Sequence, residues 1–77
     1  MRINYNKQVD ALYIRFSEAK YYVSEELKEG IILDLDKSGK VIGLEVLDVS
    51  DRLPRETMNS IHFEMEPAQH KKVLKGK

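Results

Sequence analysis

Through most of this chain apolar side chains recur at every second position between turn residues, which is the signature of half-buried strands. In residues 2–5, Ile3 and Tyr5 share one side, and in residues 10–17 the set Leu12, Ile14, Phe16 alternates with Ala11, Tyr13, Arg15. Glu18-Ala19-Lys20 turns the chain. Residues 21–27 place Val23 and Leu27 on one face and Tyr22, Ser24 and Glu26 on the other, with Glu25 on the Val23 side, as suits an edge or a rim. Residues 30–36 set Ile31, Leu33, Leu35 inward against Ile32, Asp34, Asp36. Residues 40–48 set Ile42, Leu44, Val46 inward against Val41, Gly43, Glu45, Leu47. The pattern predicts an α+β fold: a small antiparallel β-sheet, a meander of about five strands, with one short C-terminal helix.

The last two strands restrict their own register. A four-residue loop Asp36-Lys37-Ser38-Gly39 sets Leu33 opposite Ile42 and Ile31 opposite Leu44; a two-residue Ser38-Gly39 loop pairs Leu35 with Ile42 and also keeps one apolar face. A three-residue loop pairs Asp34 with Ile42 and mixes the faces, which argues against it. Asp36 can bond the turn amides and Gly39 can take positive φ, so the four-residue loop is expected. For a cover over the apolar face the chain offers residues 49–65. Pro54 suits the first turn of a helix running to about Ile61, with Leu53, Met58 and Ile61 available to pack, and Phe63 and Met65 alternate with His62, Glu64 and Glu66 as a last short strand would. One helix covers part of such a sheet. The outward set Tyr13, Ile32, Val41 and Leu47 is more apolar than a solvated face needs, and a homodimer that buries it is expected.

Size and charge sharpen this picture. Ordering 77 residues costs on the order of 100 kcal/mol of conformational entropy, and so short a chain has a modest core to set against it, so oligomerisation is expected. The absence of cysteine removes disulfide scaffolds and thiolate metal sites and fits a reducing cytoplasm. A polar N-terminus and the lack of any apolar run near the roughly 20 residues of a membrane span predict a soluble, untargeted, cytoplasmic protein. A hydrophobic content of 42% supports a globular fold despite 34% charged residues. Thirteen basic and thirteen acidic side chains cancel overall, yet residues 1–66 hold 9 basic against 13 acidic, while residues 67–77 hold four lysines and no acid. This divides the chain into one compact β-rich domain, residues 1–66, and a basic C-terminal tail, residues 67–77, expected to be flexible apart from a helical turn around His70 to Leu74.

Three segments together carry a family resemblance. They are Tyr5-Asn6-Lys7-Gln8-Val9-Asp10-Ala11-Leu12-Tyr13-Ile14, then Gly30-Ile31-Ile32-Leu33-Asp34-Leu35-Asp36, then Gly39-Lys40-Val41-Ile42-Gly43-Leu44-Glu45-Val46-Leu47-Asp48. Over about residues 3–53 the chain resembles the small prokaryotic domain of unknown function 2283, departing from it at Asn6, where the family usually has Asp. The resemblance implies a compact antiparallel β domain with a C-terminal helical element, in bacteria or archaea, with no assigned activity and no catalytic residue to carry over. It also implies a small protein partner, as in two-gene, toxin/antitoxin-like modules.

The sharpest chemical motif is Asp34-Leu35-Asp36-Lys37-Ser38-Gly39-Lys40-Val41-Ile42-Gly43-Leu44-Glu45, which matches the calcium-binding EF-hand loop, with oxygen ligands Asp34, Asp36 and Ser38, Gly39 at the sharp turn and Glu45 as the bidentate ligand. An EF-hand requires a helix on each side, whereas the flanks here have strand periodicity, and Ile42 brings no oxygen to the ninth position; a hairpin is expected instead. In the expected register Asp34, Glu45 and Asp48 lie too far apart for a paired-carboxylate acid and base. Asp10 and Asp51 read as turn and helix caps. His62 and His70 have no partners at a recognised catalytic or metal-binding spacing. Tyr5, Tyr13, Tyr21 and Tyr22 are not interleaved with a basic stripe, so they read as strand and interface aromatics, and nucleic-acid binding is confined to weak contacts through Lys71, Lys72, Lys75 and Lys77. No cofactor is expected. The sequence therefore points to a non-catalytic homodimeric interaction module, with a small metal- or ligand-binding protein using Asp34, Asp36 and Glu45 as the alternative.

Overall fold

A computed structural model describes residues 1–68; the tail lysines Lys71, Lys72, Lys75 and Lys77 and the turn expected around His70 lie outside the described residues. Period-two alternation becomes five strands: β1 (Arg2–Asn6), β2 (Ala11–Arg15), β3 (Val23–Lys28), β4 (Ile31–Leu35) and β5 (Val41–Val46). They form one antiparallel sheet in the order β1-β2-β5-β4-β3. The fold class is the expected one, with a single departure from a simple meander: β2 and β3 are not neighbours. β5, with buried Ile42 and Val46, takes the centre, while β3, whose six residues are all exposed, takes an edge. This order gives the strand rich in Glu and Lys the position where charge blunts unwanted pairing.

The connection that makes this order possible, residues 16–22, spans the end of the sheet from β2 to β3. Phe16 and Ser17 donate backbone N–H to the Ile42 carbonyl (2.9 and 3.4 Å), and Tyr22 N–H donates to the Leu35 carbonyl at 2.9 Å. The Arg15 guanidinium holds the middle of the connection through the Ala19 carbonyl, 3.2 Å from Nη2.

The β4–β5 register differs from the expected one. Leu33 lies opposite Leu44 and Ile31 opposite Val46, two positions on from the register of a four-residue loop. Asp36 N–H donates to the Lys40 carbonyl at 2.9 Å and Gly39 N–H to the Asp36 carbonyl at 3.0 Å, so the loop is the three-residue one, residues 37–39, with Gly39 at φ 88°. A bulge rescues the faces. Leu35 pairs with Val41 while Asp34 pairs with Gly43, leaving Ile42 as the extra residue, and beyond it the apolar rows are back in step. The Asp36 carboxylate fastens the turn, its Oδ1 accepting Ser38 N–H (2.9 Å), Ser38 Oγ–H (2.8 Å) and Lys40 N–H (2.9 Å). Those donors hold its pKa below the ordinary carboxylate value, the Ser38 side chain first.

The helix begins earlier than expected and is one turn long. α1 (Val49–Arg52) is followed by a 3-10 turn, Arg55–Asn59. Pro54 explains the break, since the residue before a proline is pushed out of the helical region, and Leu53 is extended at φ −115°, ψ 152°. Val49, 3% exposed, packs with Leu12 and Val46, with Tyr5, Ile31 and Leu53 at the margin. Met58 and Ile61, expected to pack, are 37% and 66% exposed. Phe63 and Met65 belong to no strand among the described residues.

Candidate functional site

The register divides the sheet into two chemically different faces. Ile3, Tyr5, Leu12, Ile14, Leu44, Val46, Ile31, Leu33, Leu35 and Val23 fall on one side, with Glu25 at its β3 edge, and Asn4, Tyr13, Arg15, Gly43, Glu45, Ile32, Asp34, Ser24 and Glu26 on the other. On the second face Tyr13 of β2 stands beside Glu45 and Gly43 of β5. Because Gly43 has no side chain, the phenol lies over β5 and its hydroxyl reaches β4, donating to Asp34 Oδ2 at 2.7 Å. A Cβ at Gly43 would overlap the tyrosine hydroxyl and come within 2.8 Å of Cζ. The other Asp34 oxygen accepts Ser24 Oγ–H from β3 at 2.8 Å, and Ser24 Oγ lies 2.9 Å from the Tyr21 hydroxyl. One chain of hydrogen bonds thus crosses from β2 to β3. Burial and then the Asp34 hydrogen bond and charge raise the Tyr13 pKa, partly opposed by Arg15, so the phenol stays a neutral donor at physiological pH.

A second polar junction fixes α1. Asp10 closes the β1–β2 turn at φ 55°, a conformation Asp tolerates better than most residues. Its carboxylate accepts Tyr5 Oη–H at 2.6 Å, Ser50 N–H at 3.1 Å and Ser50 Oγ–H at 3.1 Å, and its carbonyl accepts Val49 N–H at 3.1 Å. Asp10 therefore caps a helix forty positions away. The helix's own N-cap, Asp48, also has positive φ (52°) and makes no side-chain cap bond, while Asp51, expected as a cap, lies inside α1. Tyr5 and then Ser50 lower the Asp10 pKa, and the Tyr5 pKa is raised in turn, chiefly by its bond to Asp10. Asn6 accepts from Gln8 and Val9 N–H at 2.9 and 3.4 Å, a turn-closing role that needs an oxygen and no charge.

The EF-hand-like spacing folds as a hairpin. Asp34 lies on β4 with its carboxylate taken by Tyr13 and Ser24, Asp36 closes the turn with Ser38, and Glu45 lies on β5 between Tyr13 and Ile32. The register shift brings Glu45 to the diagonal of Asp34, nearer than the sequence implied. Among the described residues no three His, Cys, Asp or Glu side chains are grouped as a metal would require, and no helix is long and apolar enough to cross a membrane. His62 is exposed.

Of the outward set, Tyr13 and Ile32 flank Glu45 on the polar face, whereas the bulge brings Val41 opposite Leu35, a residue of the apolar face, and Leu47 follows β5, donating N–H to the Gly30 carbonyl at 2.9 Å. The larger apolar surface is on the other side. There α1 covers the Leu12–Val46 end, and at the edges of that face Ile3 and Val23 are 42% and 44% exposed. Strand β1 adds an electrostatic feature: Arg2 lies directly opposite Arg15, with Glu18 between them, 2.9 Å from Arg2 Nη2 and 3.7 Å from Arg15 Nε. Arg2, Ile3, Asn4, Tyr13 and Arg15 line a shallow cleft of about 480 Å³. Neither the Gly43 saddle nor the paired arginines entered the sequence reading. A glycine inside an otherwise strong strand pattern is the available signal for the first, since it marks a close approach.

Comparison with curated proteins and with solved structures gives no match. The sequence profile of one family, described as a protein of unknown function (DUF2283), matches residues 2–50, which span all five strands and the start of α1. With well over half of its length matched, this chain belongs to the DUF2283 family.

Proposed function

We propose that the domain is a non-catalytic protein-interaction module that works as a homodimer, with the apolar face of the sheet as the surface on which a second copy packs. A sheet that is apolar on one face needs a second layer against it. Among the described residues that layer is one helical turn, and the observation that carries the reading is its reach: Val49 and Leu53 pack at the Leu12–Val46 end, while Ile14, Leu33, Leu35 and Leu44 remain partly exposed and Ile3 and Val23 more so. Only four apolar side chains, Leu12, Ile42, Val46 and Val49, are buried among the described residues. A second copy supplies the missing layer by sheet-on-sheet packing, with a symmetric interface in which the same residues meet. This puts the dimer surface on the face opposite Tyr13 and Ile32. The placing of the acids supports that choice: a layer over Tyr13 and Ile32 would desolvate Glu45 on central β5, whereas Glu25 on the apolar side stands at the open β3 edge.

A second protein of a two-gene module is the other occupant this face would suit, and the test separates the two. Light scattering on the purified chain at micromolar concentration is expected to give about twice 9.0 kDa. Val23→Glu is expected to halve that mass with the far-ultraviolet spectrum retained, since Val23 is half exposed before any partner binds. A monomer at all accessible concentrations would reject the homodimer and leave the heterologous partner as the occupant.

A further inference from the structure

Residues 61–66 have the pattern of a strand and pair with no strand among the described residues. Ile61, Phe63 and Met65 are 66%, 71% and 81% exposed and alternate with His62, Glu64 and Glu66; Ser60, where the segment starts, is extended at φ −159°, ψ 160°. Such a segment exposes apolar side chains on one side and unpaired backbone groups along its length. The sheet has two open edges, β1 and β3. Their charges distinguish them. β3 carries Glu25 and Glu26 against the single base Lys28, an edge of net negative charge like the segment's own, whereas β1 carries Arg2 and no acid. The neighbour of Arg2 across the ladder is Arg15, so the β1 edge presents two guanidinium groups that share one carboxylate partner among the described residues, Glu18. Like charges directly opposite in a sheet are unfavourable, and a further carboxylate there would relieve them.

We infer that residues 61–66 of a second copy add to the β1 edge as a sixth strand, reciprocally, so that each chain completes the other's sheet. The inference rests on the homodimer reading and adds the partner residues at its rim. One antiparallel register satisfies both faces at once. With Phe63 opposite Ile3, Ile61 falls opposite Tyr5 and Met65 beside Met1, extending the apolar face, while Glu64 falls opposite Arg2 and His62 opposite Asn4, extending the polar one. Phe63 already lines a cleft of about 290 Å³ with Met1 and Ile3 of its own chain. There it forms no ladder with its own β1 among the described residues. The mode is strand addition, in which backbone bonds hold the strand and alternate side chains set its register.

The test uses the chain's lack of native cysteine. Asn4→Cys/His62→Cys, oxidised at a concentration where light scattering reports a dimer, is expected to yield a 4–62 disulfide joining two chains, identified by peptide mass after non-reducing electrophoresis. Asn4→Cys/Phe63→Cys, whose second thiol would face the opposite side, is expected to crosslink poorly. A dimer with no 4–62 bond, or with that bond only inside one chain, overturns the strand addition and leaves the face-to-face dimer standing; a monomer overturns both. Arg2→Glu supplies a second readout in the wild-type background. It is expected to raise the dimer dissociation constant about tenfold, because each dimer holds two Arg2–Glu64 pairs, and Arg2→Glu/Glu64→Lys is expected to recover most of the loss. An unchanged constant in Arg2→Glu counts against the proposed register.

Discussion

The two faces of this sheet are finished by different means. The polar face is closed by directional bonds within one chain: Tyr13 reaches over Gly43 to Asp34, Asp34 accepts from Ser24, and Ser24 meets Tyr21. Among the described residues the apolar face has α1, anchored through Asp10 and packed at one end by Val49 and Leu53, and an exposed Phe63 beside Ile3. Hydrogen bonds are satisfied by a few fixed partners, whereas an apolar face is satisfied by area, and a chain of 77 residues has little area to give. The contrast shows which part of the fold is closed by its own bonds and which, on the proposed reading, is closed by another molecule.

The sharpest break in that contrast comes at the covered end. Val49→Asp puts a carboxylate among Leu12, Val46 and Leu53 and is expected to cost about 4 kcal/mol or more, enough to leave the chain unfolded in urea titration at 25 °C. A variant that folds with near-native stability would mean that α1 is not part of the core.

On the polar face the effect is smaller and tied to a pair. Gly43→Ala is expected to destabilise by about 2 kcal/mol, because the new methyl occupies the space of the Tyr13 hydroxyl and displaces it from Asp34. In a Tyr13→Ala background the same change should cost almost nothing. Denaturation of the four chains gives the coupling directly, and additive costs would show that Gly43 matters for some other reason.

The smallest effect is on acid stability. Asp10 and Asp36 have pKa values held below the ordinary carboxylate value of 3.8, by Tyr5 and by Ser38 as the leading causes. A carboxyl whose folded pKa is depressed contributes stability that is full above its unfolded value and is lost as pH falls through its folded one. Melting temperature is therefore expected to be flat from pH 7 to about pH 5 on account of these groups and to fall below about pH 4. Asp10→Asn and Asp36→Asn should lower the melting temperature at neutral pH and flatten the acid limb. An acid limb of unchanged steepness in both variants would assign the loss to other carboxylates.

The five strands were legible because period-two alternation in residues such as Leu12, Ile14 and Leu44, Val46 survives any detail of their pairing. The pairing itself was not. Both face-preserving loops were even-numbered, and the chain uses an odd one with a bulge at Ile42 to restore the faces, a device with no local signature beyond the rows it protects. The start of α1 is not legible for a related reason: its capping group is Asp10, remote in sequence, whereas Pro54, expected at the first turn of a helix, both ends α1 and caps the 3-10 turn Arg55–Asn59. Tyr13 was read as an outward aromatic because its partner Asp34 belongs to a strand two places away in the sheet, reachable only over Gly43.

The central claim is that the apolar face is buried by a second copy. An isotope-filtered NOE experiment on an equimolar mixture of carbon-13-labelled and unlabelled chains tests it at named atoms. The account predicts intermolecular contacts from the methyl groups of Ile14, Leu33 and Leu44 and none from Tyr13 or Ser24. Intermolecular contacts confined to the Tyr13 face, or a mixture without any, would contradict it.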